Sequence, residues 1–233
     1  MNKIGILGGL GPESTVEYYK NIIYEYKKLT NDENYPQLFI NSINMTEMLS
    51  YVANNEYKKL IELLSHEIKR LELIGSDYIA IASNTPHCVI DELIQSTTVP
   101  IINIVEETCK YSKENNLKNV LLTGTMFTMK NAFYRKAFEK YNIKCIVPND
   151  NEKEIIQNII FPKLENGVID IDDKNLFKKI CNNIIKTNNI DGIILGCTEL
   201  PLMINENDFD ISVLNTMGIH INSILKKLVY KSL

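Results

Sequence analysis

The sequence lacks the features that mark membrane-spanning and secreted proteins. Among its 233 residues there is no apolar run near the roughly 18 residues that a membrane helix requires. The apolar stretch that follows Met1 is short and is soon interrupted by glycines, so it predicts a first strand instead of a signal peptide. A cytoplasmic protein without a membrane partner is therefore expected.

Cysteine and histidine are too few and too scattered to predict a disulfide framework or a metal centre. The five cysteines are odd in number and widely spaced, and no Cys-x-x-Cys pair is present. The three histidines are far apart in sequence, so no cluster has zinc spacing. No metal is expected, and four of the cysteines are predicted to be small core or half-buried residues: Cys88, Cys109, Cys145 and Cys181.

No excess of positive charge is present either. The chain has 25 basic and 29 acidic residues, and lysines usually stand beside glutamates within helical patterns. This pattern is typical of solvated helix faces and not of a nucleic-acid-binding surface. A small molecule is therefore the expected partner.

Short apolar runs alternate with amphipathic helical patterns along the whole chain. This alternation predicts parallel sheets with helices on both faces. The predicted strands are 3–7, 37–41, 78–82, 99–102, 119–122, 144–147 and 192–195, and the predicted helices are 13–29, 55–73, 86–94, 129–140, 152–165, 174–187 and 216–230.

The chain also repeats itself. Gly9 and Gly124 both follow a strand and are 115 residues apart, and Ser83 and Cys197 are 114 residues apart. We therefore expect an α/β fold of two pseudo-symmetric lobes, each a mostly parallel sheet flanked by helices, with the active site between them. The expected lobes are residues 1–100 with a C-terminal helix at about 214–233, and residues 101–213.

Cys197 is the strongest candidate for chemistry. It follows the apolar run 192–195 and a glycine, which places its thiol at the carboxyl edge of a strand, where open α/β sheets bind ligands. Backbone N–H groups and a helix dipole at this position are expected to stabilise a thiolate. Such a group can act as a base or as a nucleophile.

Ser83, Asn84 and Thr85 occupy the equivalent position in the first half. Their hydroxyls, amide and backbone donors suit an α-carboxylate or an amino group, although the same residues are also favoured at helix caps. Two glycine-containing loops, 8–11 and 124–125, allow close approach to a small ligand. Neither has the spacing of a nucleotide-binding loop.

Two hydrolytic arrangements stay open from the residues alone. Ser83 and His87 could form part of a serine hydrolase, and Cys197 could pair with His87 or His220 as in a cysteine protease. No Gly-x-Ser-x-Gly elbow is present, which disfavours the first arrangement.

Four motifs together resemble the aspartate/glutamate racemase family of cofactor-independent amino-acid racemases. They are Gly8 to Thr15, Ser83 to His87, Gly124 to Met129 and Gly196 to Glu199, and the segment ending in His220 fits the C-terminal motif of that family. The resemblance covers nearly the whole chain. It implies a homodimer that racemises aspartate or glutamate without pyridoxal phosphate or any other cofactor.

In that family two cysteines face each other across the substrate and exchange its α-proton. The resemblance places Cys197 as one acid/base and Ser83 where the other cysteine would stand. It implies a substrate-binding set of Gly11, Asn84, Thr85, Thr125, Thr128, Thr198, Glu199 and Lys163.

A serine hydroxyl is a much weaker base than a thiolate at neutral pH, so the two faces of the substrate cannot be treated equally. We therefore expect an asymmetric racemase. A single thiol also fits a decarboxylase of the same superfamily, which protonates one face of a carbanion. A binding protein that has lost one base is the third alternative.

Overall fold

The structure is a computed structural model that describes residues 2–31 and 33–229. No helix within these ranges combines the length and the apolar character that crossing a membrane requires. Two predictions extend beyond the described residues. One is the end of the C-terminal helix at Tyr230, and the other is the assignment of residues 231–233 to the first lobe.

The chain divides into two units, and each contains one sheet. The first unit runs to Ile104 and resumes at His220, and the second runs from Val105 to Ile219. The lobe boundaries expected from the sequence, after residues 100 and 213, stay a prediction.

The first unit contains four strands, four helices and one 3-10 helix before the chain leaves it. They are β1 (Ile4–Gly8), α1 (Pro12–Thr30), β2 (Leu38–Ser42), α2 (Met45–Ala53), α3 (Tyr57–Leu73), β3 (Tyr78–Ile81), the 3-10 helix (Thr85–Val89), α4 (Ile90–Gln95) and β4 (Ile101–Ile102). The strand order is β2-β1-β3-β4, and all pairs are parallel.

The second unit repeats this plan. Its elements are α5 (Ile104–Glu114), β5 (Asn119–Thr123), α6 (Met126–Lys130), α7 (Phe133–Glu139), β6 (Lys144–Ile146), α8 (Asp150–Ile160), a 3-10 helix (Leu164–Asn166), α9 (Ile171–Asn188), β7 (Gly192–Leu195), α10 (Leu200–Met203), another 3-10 helix (Glu206–Asp208), β8 (Ser212–Asn215) and the first turn of α11 (Thr216–Val229), a helix whose remainder, from His220, belongs to the first unit. Its strand order is β6-β5-β7-β8, again all parallel.

The predicted fold class is confirmed: the protein is α/β, with two sheets of the same strand order flanked by helices. The central strands β1, β5 and β7 are almost continuously apolar because a parallel sheet is covered on both faces. The core of the second unit includes Phe177, Ile193, Leu195 and Cys197.

Several helix boundaries differ from those predicted, for identifiable reasons. The predicted helix 129–140 is two helices, because Asn131 is extended and its side chain accepts the N–H of Phe133 at 3.1 Å. The predicted helix 152–165 ends at Ile160, because Phe161 precedes a proline and adopts an extended conformation. The helices α2 and α5 and the strand β8 were not predicted.

Gly9 shows how closely the backbone packs at the end of β1. Its φ of 76° lies in the left-handed region, and a Cβ there would be 2.5 Å from the Ile43 carbonyl oxygen. Its N–H donates to Thr15 Oγ1 at 2.9 Å, which ties the loop to the first turn of α1.

Replacing Gly9 with alanine should destabilise the protein by about 2 kcal/mol or more, because backbone strain and a clash with backbone atoms add together. Gly75→Ala is the matched control: its φ is 87°, but no atom lies within 4 Å of the added Cβ. That variant should lose only about 1 kcal/mol. Urea unfolding measures both, and equal losses would show that the clash at Gly9 is absent.

Candidate active site

In the first unit, the loops after β1 and β3 lie side by side. These strands are neighbours with Leu7 opposite Ile81, and the Ala82 N–H donates to the Leu7 carbonyl at 2.9 Å. Gly11 and Ser83 therefore belong to loops at the same carboxyl edge of the sheet. Ser83 and Asn84 are buried, and Thr85 is half-buried at the start of the 3-10 helix.

The buried side chain of His87 holds this loop. Its Nδ1 lies 2.9 Å from the Ser83 carbonyl oxygen. Burial, followed by the nearby His220, lowers the pKa of His87 to about 3, so the ring is neutral at physiological pH. A hydrolase pair of Ser83 and His87 is therefore not formed, because the imidazole bonds the backbone of Ser83 and not its hydroxyl.

His220 is also committed to structural bonds. Its Nδ1 lies 2.8 Å from the Tyr18 hydroxyl, and its Nε2 lies 2.8 Å from the Ile102 carbonyl oxygen. The carbonyl can only accept, so Nε2 carries the proton and Tyr18 donates to Nδ1. Both ring nitrogens are occupied, which disfavours a catalytic pair with Cys197.

The second unit has the corresponding pair of loops after β5 and β7. Thr123 lies opposite Leu195, and the Gly196 N–H donates to the Thr123 carbonyl at 2.8 Å. A Cβ at Gly196 would lie 2.6 Å from that oxygen, so the approach requires glycine. In the first of these loops, the hydroxyls of Thr125 and Thr128 are 3.1 Å apart.

The Cys197 thiol is buried and donates to a carboxylate. Its Sγ lies 2.9 Å from Glu199 Oε2, and the Thr198 hydroxyl donates to the same carboxylate at 3.0 Å. All three side chains are buried. The carboxylate is therefore held beside the sulfur and is positioned to accept its proton.

The pKa of Cys197 corrects the sequence-based expectation. Burial raises it well above the usual value, and the charge of Glu199 and its hydrogen bond to the thiol raise it further. A hydrogen bond that the backbone N–H of Glu199 donates to the sulfur acts in the opposite direction. The following helix α10 has only four residues, so the expected dipole stabilisation of a thiolate is not provided. The resting group is a thiol.

Glu165 lies close to Cys197 and Glu199, and sequence reasoning missed it. Its carboxylate, the Cys197 sulfur and the Glu199 carboxylate offer atoms that all lie within 4.8 Å of one another. Burial, followed by the charge of Glu199, raises the pKa of Glu165 to about 7. Thiolates and carboxylates are ligand types that divalent metals accept. The expectation of no metal rested on the spacing of Cys and His in the sequence, which does not detect a cluster of one thiol and two carboxylates.

Lys163 lies on the segment that leads to Glu165, but its ammonium is engaged elsewhere. It forms ion pairs with Asp170 at 2.9 Å and Asp173 at 2.8 Å. Hydrogen bonds to these two carboxylates raise its pKa, so it stays charged. Its predicted contact with the substrate would have to compete with both aspartates.

Comparisons with known proteins give one consistent result. The profile of the family described as Asp/Glu/Hydantoin racemase matches residues 7–224. A broad specificity amino-acid racemase, RacX of Bacillus subtilis, is 30% identical over 217 residues, which cover 91% of this chain and 92% of that protein.

Solved structures agree with the sequence relatives. The crystal structure of an aspartate racemase homologue from Pyrococcus horikoshii superposes with a TM-score of 0.87 at 35% identity, covering 99% of this chain and 100% of that one. The aspartate racemase of Picrophilus torridus shares the fold, with a TM-score of 0.79 at 24% identity over 98% of this chain and 94% of that one.

Replacing Glu199 with glutamine should lower the pKa of Cys197, because the carboxylate that disfavours the thiolate is removed. Burial should still keep the pKa above that of a free cysteine. The pH dependence of alkylation at Cys197, followed by mass spectrometry, measures this value. Glu206→Gln, on the exposed surface of the same unit, is the control and should have no effect. An unchanged or higher pKa in Glu199→Gln would contradict this assignment.

Proposed function

Because this chain belongs to the Asp/Glu/Hydantoin racemase family, whose named members are isomerases, we propose that Cys197 and Ser83 exchange the α-proton of an amino acid. The reaction would interconvert the L and D forms without pyridoxal phosphate or another cofactor. The observation that carries the proposal is the buried Cys197 thiol bonded to Glu199 at the carboxyl edge of β7. A proton acceptor beside the sulfur supplies what a thiol needs to become a base.

The proton balance on this side involves two residues. The Cys197 thiol transfers its proton to Glu199 across the 2.9 Å hydrogen bond. The resulting thiolate takes the α-proton of the substrate and leaves a carbanion at Cα. The thiol is thereby restored, and Glu199 later returns its proton to water.

The ammonium group of the substrate is proposed to drive the first step. An α-ammonium is adjacent to Cα, so it would lie near the acidic cluster of Glu165, Cys197 and Glu199. A positive charge at that distance lowers the pKa of the thiol and offsets the effects of burial and of the carboxylates. The enzyme would then keep a resting thiol and form the thiolate only with a substrate present.

Inversion requires a proton donor on the face of Cα opposite to the thiol, and the proposal assigns this role to Ser83. Its hydroxyl, or a water that it holds, gives a proton to the carbanion and is reprotonated from solvent. The reverse direction needs the same group to accept a proton. A hydroxyl does this poorly, so the two directions should have different rate-limiting steps.

The substrate α-carboxylate is proposed to bind hydrogen-bond donors of four loops. Backbone N–H groups and side chains of the loops around Gly11 and Ser83 supply one set, and the hydroxyl-bearing loop after β5 and the Cys197 loop supply the other. These donors would also stabilise negative charge that spreads into the carboxylate as the α-proton leaves. The proposed binding residues are Gly11, Asn84, Thr85, Thr125, Thr128 and Thr198.

Aspartate or glutamate is the proposed substrate, as the family description and the names of the related racemases suggest. Lys163 is the proposed partner of the side-chain carboxylate, although Asp170 and Asp173 share its charge. The broad specificity stated for RacX makes other amino acids part of the test. A homodimer in the cytoplasm is also proposed, and light scattering of the purified protein measures its mass.

The proposed chemistry predicts different losses for the two acid/base variants in D2O. Cys197→Ala should reduce both α-proton exchange and inversion by about 100-fold or more. Ser83→Ala should reduce inversion by a similar factor, while exchange without inversion continues from the enantiomer that Cys197 deprotonates. NMR follows the loss of the α-proton, and chiral chromatography follows the enantiomers of aspartate and glutamate.

Cys145→Ala, a thiol of the same unit outside the site, is the control and should behave like the wild type. Retained exchange in Cys197→Ala would contradict the proposal. Decarboxylation of a substituted malonate, without exchange of any amino acid, would identify the chain as a decarboxylase instead.

Lys163→Met should raise the KM for aspartate by about 10-fold or more, because a charge-assisted hydrogen bond to the side-chain carboxylate is lost. The KM for alanine, which has no such carboxylate, should not change. Lys186→Met, on the exposed face of α9, is the control. Parallel changes for aspartate and alanine would show that Lys163 acts only through its ion pairs with Asp170 and Asp173.

A further inference from the structure

The Ser83 carbonyl lacks the backbone hydrogen-bond donor that the following 3-10 helix would normally supply. The residues after Ser83 form a 3-10 helix, in which each carbonyl accepts from the N–H three residues later. The His87 N–H donates to the Asn84 carbonyl in this way, at 3.1 Å. The equivalent donor for the Ser83 carbonyl would be residue 86, which is a proline and has no N–H.

The His87 side chain supplies the missing donor. Its Nδ1 lies 2.9 Å from the Ser83 carbonyl oxygen, and the ring is buried. Since a carbonyl only accepts, the proton of the neutral ring is on Nδ1. The other nitrogen, Nε2, then carries no proton and can only accept a hydrogen bond.

That acceptor has no hydrogen-bond partner among the residues that the structure describes, although it is buried. A buried polar atom without a partner is unfavourable for folding. An aromatic ring of similar size without polar atoms, such as phenylalanine, would fill the same space without this cost. Packing alone therefore does not account for a histidine here, whereas the bond to Ser83 does.

We propose that His87 is a positioning residue that holds the Ser83 hydroxyl in place through the backbone carbonyl of Ser83. This inference rests on the proposed role of Ser83 in proton transfer. A weak acid such as a hydroxyl depends strongly on its distance and angle to the reacting carbon. Loosening the turn should therefore impair the proton transfer by Ser83 and leave the proton transfer by Cys197 intact.

The test compares inversion with α-proton exchange in D2O, starting from the enantiomer that Cys197 deprotonates. His87→Phe should reduce inversion by about 10-fold or more, while exchange should change by less than about 3-fold. His87→Asn should restore most of the inversion, because its side-chain N–H can occupy the position of Nδ1. His66→Asn, on the exposed surface of α3, is the control and should match the wild type.

A second variant separates the hydrogen bond from the shape of the ring. Adding Pro86→Ala to His87→Phe creates a backbone N–H three residues after Ser83, and this donor should recover part of the lost inversion. A defect caused only by altered packing would not be repaired by a donor at residue 86.

Three results would overturn the inference. They are wild-type inversion in His87→Phe, equal losses in His87→Asn and His87→Phe, and a parallel fall of exchange and inversion. Ser83→Ala distinguishes the role of His87 from the role of Ser83. If it loses inversion while His87→Phe does not, only the role of His87 is wrong; if it inverts normally, the proposed role of Ser83 fails as well.

Discussion

The hydrogen bond from the Cys197 thiol to the Glu199 carboxylate is the interaction on which the account of this site depends. It is buried at the end of β7, and it holds the sulfur in its protonated form. The same carboxylate that disfavours the thiolate at rest is the nearest acceptor for its proton. A buried thiol of this kind is a poor nucleophile toward adventitious electrophiles, because the thiolate is the reactive form. In the proposed mechanism, the chemistry depends on a substrate that brings positive charge to the sulfur.

The two units share one backbone plan, and the proposed function assigns them unequal chemistry. Each has four parallel strands in the same order, with the important loops following its two central strands. In the second unit a side chain two residues after the thiol controls protonation directly. In the first unit the side chain four residues after Ser83 bonds the backbone of Ser83, and we infer that it controls the position of the hydroxyl instead. A thiol therefore needs electrostatic control, whereas a hydroxyl with little acid/base strength needs accurate placement.

The sequence predicted the fold class and the central strands because buried parallel strands are visible as apolar runs. The motifs at the ends of these strands also predicted which loops carry the candidate site residues. The proximity of Glu165 to Cys197 could not be predicted, because it depends on how the short 3-10 helix Leu164–Asn166 packs against α10. The end of α8 before Pro162 was detectable, because the residue before a proline disfavours helical conformation. Recognising it would have placed Glu165 outside the predicted helix. The predicted direction of the Cys197 pKa shift was wrong, because burial and the neighbouring carboxylate outweigh the dipole of a four-residue helix.

The central claim is that one thiol and one hydroxyl serve the two faces of the substrate unequally. Racemisation in D2O, followed by circular dichroism from pure L and from pure D substrate, tests it most directly. When each face has its own proton donor, the product gains deuterium and returns slowly, so the optical signal passes through zero before it settles. The account predicts such an overshoot from both enantiomers, with clearly different amplitudes. Overshoots of equal size, or none in either direction, would contradict it.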